Sequence, residues 1–159
     1  MIIRIEERLG QLLISQKQTL SVVESCTGGL IQHRVTNISG SSSYFMGGFV
    51  TYSNAAKMKF AGVSESTLQR YGAVSEQTAR EMVVGVQASF GVDYALSATG
   101  IVGPGGGSPE KPVGLVYVGL ATPTGSEVRR FLWSADRETN KSYTADAALN
   151  WLVSVLENL

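Results

Sequence analysis

The chain has 159 residues, which at roughly 100–200 residues per domain fits one domain able to bury a full core without disulfides or a structural metal. Hydrophobic residues make up 43% and charged residues only 16%, which excludes a disordered or charged-tail protein. Thirteen Lys+Arg balance thirteen Asp+Glu, and a net charge of zero argues against a duplex-DNA binder, which carries a basic excess.

Residues 2–17 read as an amphipathic helix, because Ile2, Ile5, Leu9, Leu12 and Leu13 recur at helical spacing. Thr19–Glu24 reads as a strand, a tight turn follows, and Thr27 to Thr36 reads as a helix with Leu30, Ile31 and Val35 apolar. Asn37–Ser43 is a Ser-rich loop. Tyr44–Tyr52 reads as a buried strand despite Gly47 and Gly48. Ser53 caps a short helix over 54–60, Ser64 a second over 65–70, and Ser75 a longer one reaching Phe90. Asp93–Thr99 is a strand, and Gly100–Pro112 a glycine- and proline-rich loop. Val113–Ala121 and Glu127–Trp133 form a hairpin across Thr122-Pro-Thr-Gly-Ser. Arg137–Leu156 closes the chain as a helix with Ala145, Ala148, Leu152, Val155 and Leu159 on one stripe. Five strands mixed with helices predict an α/β fold whose sheet is mixed because of the hairpin.

Four stretches could carry chemistry. Glu24-Ser-Cys-Thr-Gly-Gly29 runs from a strand into a turn that opens a helix. Ser25 would then lie beside helix N–H groups, which suit an oxyanion or a phosphate. The same pattern is also that of a helix merely capped by Ser25 or Thr27. The only histidine, His33, is eight residues after Ser25 on that predicted helix, roughly 12 Å away at ~1.5 Å per residue, too far to serve as its base. Tyr52-Ser-Asn-Ala-Ala-Lys57 follows another strand, and a buried lysine can act as a base; the alternative is a packing tyrosine and a surface lysine. The loop from Thr99 to Pro112 matches neither a P-loop nor the dinucleotide fingerprint, but its glycine N–H groups can form an anion nest. Asp136-Arg137-Glu138 with Lys141 opens the last helix, where Arg137 could clamp an anion.

A single cysteine, Cys26, can form no internal disulfide, and with one histidine, His33, no Cys/His zinc site is expected. The longest apolar-plus-glycine run, 44–50, falls far short of the ~20 residues of a membrane span. Met1-Ile-Ile-Arg-Ile-Glu-Glu-Arg8 lacks a basic leader and apolar block, so a cytoplasmic location is expected.

Taken together, Glu24–Leu30, Gly40-Ser-Ser-Ser-Tyr-Phe45, Gly47-Gly-Phe-Val-Thr-Tyr-Ser-Asn54, Tyr71-Gly-Ala-Val-Ser75 and Ala98–Gly107 continuing to Lys111-Pro-Val-Gly114 resemble the CinA C-terminal-domain family. Its enzymatic members are nicotinamide-nucleotide amidases. The resemblance spans nearly the whole chain and is to the stand-alone form. It implies a three-layer α/β/α sandwich around a mixed sheet of about five strands, a homodimer, and a small-molecule nucleotide substrate with no cofactor. It implies hydrolysis of the carboxamide of nicotinamide mononucleotide to nicotinic acid mononucleotide and ammonia.

By the same resemblance Ser25 matches the nucleophile, and Tyr52 and Lys57 the residues that activate it. Thr99 matches a residue contacting the ligand, and the segment containing Gly100, Gly105 and Gly106 a loop enclosing it. Thr27, Gly28, Gly29, Arg137 and Lys141 are the remaining expected binding residues, with helix N–H groups after Ser25 holding the oxyanion. Two departures stand out: Ala135 replaces a usual glycine, and Lys141 an expected arginine whose bidentate fork a lysine cannot reproduce. Two other functions fit the same residues: a nucleotide-binding paralogue without turnover, and an accessory protein of DNA uptake.

Overall fold

The computed structural model describes residues 1–159. Helix α1 spans Ile5–Gln16. Its N-cap is Arg4, whose N–H donates to Glu7 Oε2 at 3.2 Å. That capping starts the helix later than expected, and Ile2 and Ile3 lie outside it, exposed. Then come β1 (Leu20–Glu24), α2 (Leu30–Thr36), a short 3₁₀ turn at Ser41–Ser43, and β2 (Phe45–Val50). Helices α3 (Asn54–Ala61), α4 (Glu65–Tyr71) and α5 (Glu76–Phe90) follow, with Ser53, Ser64 and Ser75 as the expected N-caps. Strands β3 (Tyr94–Gly100), β4 (Leu115–Thr122) and β5 (Gly125–Leu132) precede α6 (Arg137–Glu157). The hairpin loop is tighter than expected, since Thr122 already pairs with Gly125. Leu159 lies beyond α6 and is exposed rather than on its buried stripe.

The five strands form one mixed sheet in the order β2-β1-β3-β4-β5. Strands β1, β2 and β3 run parallel, and β3–β4 and β4–β5 antiparallel. Side chains alternate faces along each strand. Leu20 and Val22 of β1, Leu96 and Ala98 of β3, and Val116, Val118 and Leu120 of β4 therefore share one face, covered by α1, α2 and α6. Val23, Ala95 and Ala121 point the other way, into a smaller core with Ala61, Leu68, Met82, Val83 and Val86 of α3, α4 and α5. The chain is thus a three-layer α/β/α sandwich. Each fully buried Leu or Val in these layers contributes roughly 1.5–3 kcal/mol relative to exposure.

Strand β2 is an edge strand and only half-buried, not the buried strand expected from its composition. It pairs with β1 alone, through a register irregularity after Leu20 that leaves Met46 without a partner. A glycine at 48 is required by this pairing: a Cβ there would lie 1.9 Å from Val22 O. No helix is long and apolar enough to cross a membrane.

Candidate active site

The carboxyl ends of β1, β2 and β3 lie side by side, where open α/β sheets place their ligands. At the end of β1 the Ser25 N–H still bonds to Ala98 O of β3 at 2.9 Å. The chain then turns through Gly28 (φ +61) and Gly29 (φ +102), a left-handed geometry that residues with a Cβ avoid. Helix α2 consequently begins at Leu30 and not at Thr27.

Its N-terminus is not open, contrary to expectation. Glu24, fully buried on the α2 side of the sheet, accepts from the N–H of Ile31 at 2.9 Å and of Gln32 at 3.0 Å. Leu30 N–H bonds to Thr27 O and His33 N–H to Gly29 O. No first-turn donor of α2 is therefore available to an oxyanion. The backbone N–H groups of Cys26, Thr27 and Gly29, in the turn itself, have no intramolecular partner, and neither has the buried hydroxyl of Thr27.

Lys57 reaches Ser25 from α3. Ser53 caps that helix by accepting from Ala56 N–H at 3.1 Å. One turn in, Lys57 is 1% exposed. Its Nζ lies 2.8 Å from Ser25 Oγ and 2.8 Å from Thr51 O, and it makes no ion pair. Burial pushes the amine below its ordinary 10.5; a negative charge on Cys26 would oppose this, but burial and Glu24 push that thiol up to about 12. The thiol stays neutral near pH 7, and the lysine keeps its depressed basicity. A neutral amine can give one N–H to Thr51 O while its lone pair faces the Ser25 hydroxyl.

These groups open onto a cavity of about 270 Å³ lined by Ser25, Lys57, Tyr52, Thr99, Gly100, Gly105, Gly106 and Arg137, among others. No carboxylate lines it. Thr99 donates its hydroxyl to Ala73 O at 2.7 Å, leaving its lone pairs free. Tyr52 is 62% exposed, and its hydroxyl accepts from Arg137 Nη2 at 3.0 Å and bonds to neither Ser25 nor Lys57. Arg137 Nη1 donates to Gly103 O at 2.7 Å, so one guanidinium ties Tyr52 to the glycine loop. Thr27, Gly28 and Gly29 lie behind the cavity wall. Lys141 Nζ reaches their turn instead, 3.6 Å from where a Gly28 Cβ would sit, and it has no acidic partner. His33 is outside the site, beside Asn37 on α2.

Sequence reasoning missed three contributors. Asn54 lines the cavity. Asn140, fully buried, donates to Val102 O and Ala135 O at 3.0 Å each and so fixes the loop to the start of α6. Thr51 acts through its carbonyl, which every residue has, so no sequence signal marks it. A larger cavity of about 450 Å³ lies between the β4–β5 hairpin and the end of α6, but it holds no paired nucleophile and base.

The family model described as the CinA C-terminal domain matches residues 3–156. A CinA-like protein of Chloroherpeton thalassium is 51% identical over 96% of the chain, which covers 37% of that protein; the chain thus spans little more than a third of the curated relatives it matches. Among solved structures, the competence/damage-inducible protein CihA from Agrobacterium tumefaciens superposes with a TM-score of 0.89 at 38% identity, over 99% of this chain and 98% of that one. A CinA-superfamily protein from Escherichia coli does so with a TM-score of 0.91 at 32% identity, over 96% and 90%.

Proposed function

This chain belongs to the CinA C-terminal-domain family, and on that footing we propose that it is a nicotinamide-nucleotide amidase working through a serine nucleophile. The observation that carries the reading is the 2.8 Å contact between Lys57 Nζ and Ser25 Oγ, buried at the floor of a cavity without a carboxylate to hold the lysine charged. Neutral Lys57 takes the hydroxyl proton as Ser25 Oγ bonds to the carboxamide carbon. The free N–H of Cys26, the one residue of that group of three that lines the cavity, holds the resulting oxyanion, such a donor supplying on the order of 10²–10³ in rate. Lys57 passes the proton to the leaving nitrogen, the C–N bond breaks, and ammonia departs. Water then attacks the ester carbon and gives a proton to Lys57. The acid product leaves, and that proton returns to Ser25 Oγ.

Arg137, a cation on the cavity wall without an acidic partner, suits the substrate phosphate, and the free N–H groups of Gly105 and Gly106 supply further donors. Tyr52 acts here through Arg137, as part of the phosphate wall rather than as a proton relay. Incubating the chain with nicotinamide mononucleotide tests the reading: nicotinic acid mononucleotide and ammonia appear in equal amounts. Tight binding of the nucleotide with neither product would overturn it in favour of a silent binding paralogue.

A further inference from the structure

We infer that Glu24 is a positioning residue that sets both the nucleophile and its base, with Gln32 as its brace. The inference rests on the serine–lysine reading above. Glu24 touches no part of the cavity, yet hydrogen bonds leave it in two directions. Its side chain accepts from Ile31 N–H, Gln32 N–H and Gln32 Nε2, the last at 2.9 Å. This fixes the far end of the turn that carries Ser25. Its main-chain oxygen accepts from Thr51 N–H at 2.7 Å, and Thr51 O in turn accepts from Lys57 Nζ at 2.8 Å.

Gln32 closes a second link, donating through the same Nε2 to Phe49 O of β2 at 3.2 Å. The Ser25–Lys57 contact therefore closes a ring through the main chain of Glu24, and the Glu24 side chain braces that ring against α2 and, through Gln32, against β2. Buried chains of this kind hold their members in one geometry, and a small displacement at a reacting pair costs far more rate than stability. A carboxyl at 24 also consumes the Ile31 and Gln32 donors of α2.

The test uses Glu24→Gln, isosteric but with an amide that cannot accept at both positions, and Gln32→Met, which keeps the backbone N–H and removes both Nε2 bonds. Ser25 is labelled with an alkyl fluorophosphonate, and adduct formation is followed by intact mass. In that step the Oγ–P bond forms, fluoride leaves, and the hydroxyl proton passes to Lys57. The labelling rate of folded Glu24→Gln falls on the order of 10–100-fold, and that of Gln32→Met by less. In amide hydrolysis kcat falls in parallel while KM holds.

Folded variants labelling at the wild-type rate would overturn the inference, since a purely structural cap lowers the melting temperature without changing Ser25 reactivity. If Glu24→Gln does not fold, Gln32→Met decides by the same criterion. The reagent needs no nucleotide. Wild type that labels at Ser25 but leaves nicotinamide mononucleotide intact defeats the proposed substrate and not this inference.

Discussion

Lys57 Nζ and Ser25 Oγ meet at 2.8 Å across thirty-two residues of sequence, and no carboxylate lines the cavity they share. The pair is assembled by two independent strand ends. Ser25 follows β1, and Lys57 sits one turn into the helix that follows β2. A lysine placed so is a base only when neutral. Because burial lowers its pKa, the neutral fraction rises as pH climbs through a value below the ordinary 10.5. Activity is thus expected to fall on the acid side of that value. Lys57→Arg, which stays charged, abolishes the limb along with about 10²–10⁴ of the rate. A kcat–pH profile for both proteins checks this, and a wild-type profile with no acid limb would count against it.

The same burial has a thermodynamic sign. The folded state disfavours the charged amine, so between the lowered folded pKa and the unfolded value of 10.5 the unfolded chain holds the extra proton, and stability rises with pH. Below that window the penalty is present in full. Lys57→Met, which removes the penalty, is expected to unfold at no lower denaturant concentration than wild type near neutral pH. Its advantage should shrink as pH is raised through the window. Urea unfolding at a series of pH values measures both.

Tyr52 and Arg137 form a separate unit. Since the phenol bonds to Arg137 and not to Ser25 or Lys57, Tyr52→Phe is expected to keep kcat within about 10-fold of wild type, well short of the 10²–10⁴ that a proton relay supplies. Arg137→Ala frees Gly103 O and removes a cation from the wall, so it raises KM more than it lowers kcat. Steady-state kinetics on the two variants separates these effects. A Tyr52→Phe as impaired as Lys57→Ala would return the tyrosine to the proton path.

In the fold, Gly48→Ala is expected to destabilise by about 1–3 kcal/mol or more, because its Cβ would lie 1.9 Å from Val22 O in the neighbouring strand. Leu96→Ala, in the centre of the sheet and fully buried, is expected to cost about 2–5 kcal/mol. Denaturant midpoints at constant slope check both.

Periodicity carried most of the architecture. Helix α5, with Ala79, Met82, Val83 and Val86 on one face and Ser75 as its cap, could be read residue by residue. The start of α2 could not. Its cap is supplied by the side chain of Glu24, six residues upstream of Leu30 and in another element, where local signals do not look. Edge position was equally hidden: the composition of β2 is that of a central strand, and only pairing shows that one side is open. At the site, Ser25 and Lys57 were legible as residue types after strand ends. Their meeting follows from strand alternation. Glu24 points toward α2, so Ser25, continuing the ladder to Ala98, points the opposite way, toward α3. The bond between Tyr52 and Arg137, eighty-five residues apart, had no local signature at all.

The most direct test measures ammonia release from nicotinamide mononucleotide by wild type, Ser25→Ala and Lys57→Ala under identical conditions. Wild type turns over, Ser25→Ala releases no ammonia above the uncatalysed rate, and Lys57→Ala loses about 10²–10⁴ of the rate while still binding the nucleotide. An active wild type whose Ser25→Ala variant keeps full rate would contradict the account.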